Sequence, residues 1–221
     1  VRILFIDAVA GASGDMFLGA LVDLGADFNE LSRQLSTLNV PGFALHTHST
    51  TRHSIAGTKV DVVVHDEDQP HRHVGDLIAI IEASPLHADV KEMAGLVLMK
   101  LAQAESEAHR VPLESVHLHE VGGLDCLVDV VGTCIAMQLL GIDHIFSGPV
   151  SVGTGVITCA HGKMPEPAPG TIAILRDFPI RKTTIEGEMT TPTGAAIIAA
   201  LAYPVTSAVV MTPRRIGYGA G

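Results

Sequence analysis

The chain of 221 residues has no tryptophan, two tyrosines and three cysteines, and charged residues make up only 17% of it against 47% hydrophobic ones. Disordered and coiled-coil chains carry far more charge. This composition describes a core-forming α/β or α+β protein, long enough for one large domain or two small ones. No run of about 18 uninterrupted apolar residues occurs, which argues against a membrane span. Basic clusters are missing too: Lys and Arg total 14, Asp and Glu total 24, and the net charge is −10 with His neutral. Nucleic-acid binding by phosphate neutralisation has no footing in such a chain. The first residues read directly as a strand, with no basic n-region or cleavage site, so the expected compartment is the cytoplasm. Cys126, Cys134 and Cys159 are odd in number and lack ligand spacing. The first two fall in an apolar helical stretch, as buried free thiols would, and nothing calls for an oxidising compartment. A Gly-x-Ser-x-Gly elbow, a Cys–His nucleophile pair and a zinc-type cysteine cluster are all absent, so covalent hydrolase chemistry has little support.

Histidine is what the sequence has in excess. There are twelve, six of them between His46 and His73. Neutral imidazole is the commonest protein ligand for nickel, copper and zinc, so this enrichment favours transition-metal chemistry.

Local patterns predict an alternation of strands and helices. Arg2–Asp7 reads as a buried strand, followed by a small-residue loop and a helix to about Leu24, capped by Ser13 or Asp15. A short helix over Asn29–Leu38 ends at Pro41-Gly42. Strands are expected near Phe43–Ser49 and Thr58–His65, with Gly57 in the turn between them. Residues 66–73 form a polar loop, and Asp76–Ala83 a helix. Ser84-Pro85 reads as the start of the next helix, with Leu86, Val90, Met93, Val97 and Leu101 at helical spacing and Val111-Pro112 ending it. Glu120–Leu140 is the helix after that. Further strands are expected near Ile145–Val152, Arg181–Glu186 and Ser207–Met211, with helices near Pro169–Leu175 and Thr193–Leu201. Together these predict an α/β fold, or α+β, with a mixed β-sheet covered by helices and a sub-boundary near residue 145. The sequence stops in Ile216–Gly221, a glycine-rich stretch that caps no element, and a further domain is expected beyond it.

Five segments carry chemistry. In Asp7–Met16, a strand feeds a glycine-containing loop into a helix, the geometry that receives anions. Gly11, Ser13 and Gly14 are the candidate phosphate contacts there. Asp7 and Asp15 could hold a hydrated divalent ion, although an N-cap and a tight turn account for the same residues. In His65–His73, His71 and His73 lie two apart, so an extended backbone points both imidazoles one way. A solvated acidic loop is the plain alternative.

His117–Asp129 is the most specific segment. His117 and His119 share a face, Glu120 stands at a helix start, and Asp125 and Asp129 are four apart on one helical face. Those two aspartates are the only charges between Val121 and Leu140. Carboxylates in so apolar a helix are costly unless they meet a cation, a buried Arg or backbone N–H groups. The set suits a transition metal or a magnesium-bound phosphate. In Gly153–Pro169, Lys163 could meet a phosphate and His161 could ligate metal or move a proton; a surface loop explains both equally. In Glu188–Gly194, Thr191 and Thr193 precede a helix and offer hydroxyls and N–H groups to a phosphate, or simply cap it.

In this order, the stretches FIDAVAGASGDMFLGAL, HRHVGDL, VHLHEVGGLDCLVDVVG, AHGKMPEPAPGTIAIL, GEMTTPTGAAIIAAL and RIGYGAG resemble the LarC family, the nickel-insertion proteins of the lactate racemase system. The resemblance covers essentially the whole chain. It implies a CTP-dependent cyclometallase of the lyase class that works with Mn²⁺ or Mg²⁺. Such an enzyme places Ni²⁺ into pyridinium-3,5-bisthiocarboxylic acid mononucleotide to form the nickel-pincer cofactor. It further implies a C-terminal domain that binds CTP and a chain that does not complete the reaction alone; assembly into homo-oligomers is expected as well. Two departures stand out. Ala8 follows Asp7 where family members often have cysteine, and the histidine run near residue 71 is only His71-Arg72-His73.

On this reading His117, His119, Glu120 and Asp125 are the catalytic candidates. The metal candidates are His71, His73, His117, His119, Asp7, Asp15 and Asp129. Two other readings remain open at this point: a non-catalytic module that binds and delivers nickel, and a phosphohydrolase with Mg²⁺ on Asp7, Asp15 and Asp125.

Overall fold

A computed structural model describes residues 1–52, 54–65, 72–113, 116, 123–159 and 162–221. The elements run β1 (Ile3–Ile6), α1 (Gly14–Asp23), α2 (Phe28–Ser36), β2 (Phe43–Arg52), β3 (Ile55–Val64), α3 (Val74–Ala83), α4 (Ala88–His109) and α5 (Leu124–Leu139). There follow β4 (His144–Ser147), β5 (Val150–Thr154), β6 (Val156–Cys159), β7 (Gly162–Pro165), α6 (Pro169–Ile174), β8 (Ile180–Glu186), α7 (Pro192–Leu201) and β9 (Tyr203–Pro204). The fold is α/β, with parallel and antiparallel pairings both present. Its strands divide among small sheets: β1-β4-β9 and β5-β8 are parallel, and the hairpins β2-β3 and β6-β7 are antiparallel. Among the described residues, no helix is long and apolar enough to cross a membrane.

Helix α5 is the centre. Leu124, Leu127, Val128, Val131, Cys134 and Ile135 are all essentially inaccessible, and so is Val130 on another side of the helix. A helix that is apolar nearly all round has to be enclosed, and α5 packs against α1, α2, α4, α7 and β3. Gly132 lets α5 pack closely on α1: a Cβ there would lie 2.8 Å from Leu18 Cδ2. Cys126 and Cys134 are buried free thiols, and desolvation pushes both up to about 12.

Several boundaries differ from the sequence expectation, each for a physical reason. Ser84-Pro85 does not open α4. Ser84 instead closes α3, its hydroxyl donating to the Ile81 carbonyl at 2.6 Å, and α4 begins at Ala88 with His87 as N-cap. Gly57 is not in a turn but inside β3, opposite Thr50. Pairing runs to Arg52 opposite Ile55, and Ser54 between them adopts φ 68°. The expected strand near 145–152 is two strands, one pairing with β1 and the other with β8. Residues Ser207–Met211 are exposed and unpaired, and the strand lies earlier, at Tyr203–Pro204 beside β4. Lys163 sits in β7 rather than in a turn.

Nor is the glycine-rich end idle. Tyr218 and Ala220 exchange backbone hydrogen bonds with Thr58 of β3, at 2.8 and 3.0 Å. Side chains at Gly217 and Gly219 would overlap the backbone of α1, so only glycine lets this segment lie in the seam between α1 and β3.

Candidate functional site

Two loops are knitted together without side chains between them. Ala12 N–H donates to the Met189 carbonyl, and Thr191 N–H donates to the Ala12 carbonyl, each at 3.0 Å. A Cβ at Gly11 would overlap the Met189 carbonyl, and one at Gly194 would overlap that of Ala12. This contact sets the N-terminus of α1 beside that of α7. A Cβ at Gly14 would overlap the Asp129 carboxylate, so α5 reaches the same place because position 14 has no side chain. Three helices thus present their first turns to one cleft of about 1050 Å³.

From α1 the cleft receives Ser13, Gly14 and Asp15; from α5, Asp125 and Asp129; from α7, Thr191 and Thr193. These come from three separate stretches of sequence, and the fold brings them together. The opposing wall is the β2–β3 hairpin, with His46 and Asp61 directly paired across the strands, together with Ile157 and Met164 of the β6–β7 hairpin. Glu188 closes one side. His46, Asp61 and the apolar wall were not legible, because strand register decides which residues of a hairpin face a neighbour.

The polar contacts are mutual. Asp15 Oδ1 accepts the Ser13 hydroxyl and the Met16 N–H (2.9 Å), so the carboxylate rather than Ser13 serves the start of α1. Its Oδ2 lies 3.3 Å from Lys59 Nζ. Thr191 accepts the Gly194 N–H at 3.2 Å as the N-cap of α7, and the Thr193 hydroxyl turns to Cys126 Sγ at 3.6 Å.

Asp129 is the anomalous member. Its Oδ1 is buried without a hydrogen-bond partner. Burial first, then the negative charges of Asp15 and Asp125, push its carboxyl up to about 8. A carboxylate in this position holds its charge only beside a cation, so its chemistry fits a bound metal ion. The other buried acid, Glu166, is also raised by burial but lies outside the cleft lining.

The remaining candidates fall elsewhere. Asp7, just past β1, is exposed and does not line the cleft. Gly11 serves the loop contact already described. Lys163 is exposed on β7 and is likewise absent from the lining. His71, His117, His119, Glu120 and His161 lie outside the described residues. His73 is the N-cap of α3, and its Nδ1 stands 3.0 Å from the Val116 carbonyl. In the tautomer that carries its proton on Nδ1, the ring donates to that carbonyl and presents its lone pair on Nε2. Among the described residues, no three His, Cys, Asp or Glu side chains converge on one point as metal ligands would.

Residues 4–221 match the model of a family described as nickel insertion protein. The chain belongs to the nickel insertion protein family. Three relatives are named pyridinium-3,5-bisthiocarboxylic acid mononucleotide nickel insertion protein. The one from Akkermansia muciniphila is 43% identical, that from Desulfitobacterium hafniense 41% and that from Acetivibrio thermocellus 41%, each over the whole of this chain. The chain spans 56%, 55% and 57% of their respective lengths. No solved structure matches it.

Proposed function

We propose that this chain is the N-terminal part of a cytoplasmic protein that inserts Ni²⁺ into pyridinium-3,5-bisthiocarboxylic acid mononucleotide, yielding the nickel-pincer cofactor of lactate racemase. Family membership and the names of the longer relatives support the reading. The observation that carries it is Asp129: a partly buried carboxyl with an orphan oxygen, on α5 where the starts of α1, α5 and α7 meet at the cleft.

In this reading the cleft holds metal and mononucleotide together. Asp15, Asp125 and Asp129 attract the divalent ion, with Asp7 a more distant contributor. Ser13, Gly14, Thr191 and Thr193 offer N–H and hydroxyl groups to the phosphate. His117, His119 and Glu120 precede α5 in the chain and receive nickel; His71 and His73 deliver it. Forming the carbon–nickel bond releases the ring proton, which Glu120 or Asp125 accepts. The apolar wall of Ile157 and Met164 suits the flat ring. CTP with Mn²⁺ or Mg²⁺ is assigned to the remainder of the longer protein. The chain alone is expected to bind substrates without completing the reaction, and to assemble as a homo-oligomer.

The test is to supply the full-length protein with precursor, Ni²⁺ and CTP and to measure nickel in the nucleotide fraction. Loading by the wild type and its loss in Asp125→Asn/Asp129→Asn is the expected result. A full-length protein that loads no nickel contradicts the reading, and hydrolysis of simple phosphate esters without any need for nickel would replace it with a phosphohydrolase.

A further inference from the structure

The cleft lining holds five carboxylates, those of Asp15, Asp61, Asp125, Asp129 and Glu188, and no lysine or arginine among its described residues. One ammonium nevertheless reaches in from β3. Lys59 Nζ lies 3.3 Å from Asp15 Oδ2 and 3.8 Å from Asp61 Oδ1, and its side chain is 22% exposed. The hairpin register sets this up. Lys59 pairs with His48 and Asp61 with His46, so all four side chains project from one face of β2–β3. His48 Nδ1 lies 3.3 Å from the other Asp61 oxygen, Oδ2.

We propose that Lys59 is the resident counter-ion of the cleft and couples metal uptake to phosphate binding. This rests on the reading of the cleft as a site for a divalent ion and a mononucleotide. A divalent ion on Asp15 and the Lys59 ammonium on the same carboxylate repel each other across a few ångströms, so the two states exclude one another. Four methylenes let the ammonium swing without moving β3. Released from Asp15, it stands beside the loop at Ser13 and Gly14, and the strongest anion a mononucleotide offers it is the phosphomonoester. Metal displaces Lys59, Lys59 takes the phosphate, and each ligand thereby favours the other. Lys59 is a positioning residue in this scheme and makes no bond to a reacting atom.

The experiment titrates Mn²⁺ into the chain, read by its paramagnetic resonance signal, with and without nicotinic acid mononucleotide as the pyridinium mononucleotide probe. In the wild type the probe tightens Mn²⁺ binding about tenfold, within the range of ordinary coupling between sites. Lys59→Met binds Mn²⁺ alone about threefold to tenfold more tightly, as expected when one partly buried competing ion pair is removed, and gains nothing from the probe. Lys59→Arg keeps the charge and behaves as the wild type. Removing a nearby positive charge tightens metal binding whatever the role of Lys59, so the lost response to the probe is the readout specific to the coupling. Equal Mn²⁺ affinity in wild type and Lys59→Met, or a probe effect that survives in Lys59→Met, overturns the proposal alone. Absence of Mn²⁺ binding in both overturns it together with the metal reading of the cleft.

Discussion

His73 Nδ1 and the carbonyl oxygen of Val116 stand 3.0 Å apart, bridging 43 residues of sequence. The bond ties the start of α3 to Val116, a residue far from it in sequence. Outer hydrogen bonds of this kind, Nδ1–H to a carbonyl, orient an imidazole for ligation through Nε2. Replacing His73 by Phe is expected to lower Ni²⁺ affinity about tenfold or more, on the scale of losing a ligand or its orienting partner. Calorimetric titration checks this, and an unchanged affinity would remove His73 from the metal pathway.

Gly14 admits the Asp129 carboxylate against the first turn of α1. Gly14→Ala forces either the acid or the helix aside. It is expected to cost about 1–3 kcal/mol, the usual range for overpacking, and to weaken divalent-ion binding in parallel. Denaturant unfolding and Mn²⁺ titration on the same variant are the measurements. Full stability with full binding would mean that the contact between α1 and α5 does not shape the cleft.

Because the folded-state carboxyl of Asp129 is raised from 3.8 to about 8, the folded protein binds a proton there that the unfolded chain releases. Its contribution to stability is therefore complete below the unfolded value and is lost as pH rises through the folded one, from about 4 to about 8. Thermal unfolding without metal should show falling stability across that window, and Asp129→Asn should flatten the fall. A divalent ion should oppose it at the alkaline end, where the carboxylate is charged. A wild-type profile as flat as that of the variant would show that Asp129 titrates normally.

Much of this was legible in the sequence because local chemistry decided it. The helix expected over Asn29–Leu38 is α2, with Leu31 and Leu35 buried; its cap, Asp27, bonded to the N–H groups of Asn29 and Glu30, lies ahead of the expected span. The apolar run around Asp125 and Asp129 announces α5, and the threonines before Gly194 announce the start of α7. What could not be read depends on pairing between distant segments. Gly57 lies within β3 rather than at the turn, in a hairpin register that pairs it with Thr50 and sets it against the backbone of Tyr218. Ser84 carries the same signal whether it opens α4 or closes α3, and its hydroxyl bond to Ile81 decides for the latter. Asp61, His46 and Lys59 escape a motif search because each stands in an ordinary alternating strand, and only the hairpin's position over α1 turns them to the cleft.

The central claim is that the first turns of α1, α5 and α7 enclose a cleft that takes a metal ion together with the histidines ahead of α5. It is tested most directly by titrating the chain with Ni²⁺ in calorimetry, wild type against Asp125→Asn/Asp129→Asn and against His117→Ala/His119→Ala. The account predicts tight binding in the wild type and its loss in both double variants. Binding that survives both pairs of substitutions undiminished would place nickel elsewhere in the molecule and contradict the account.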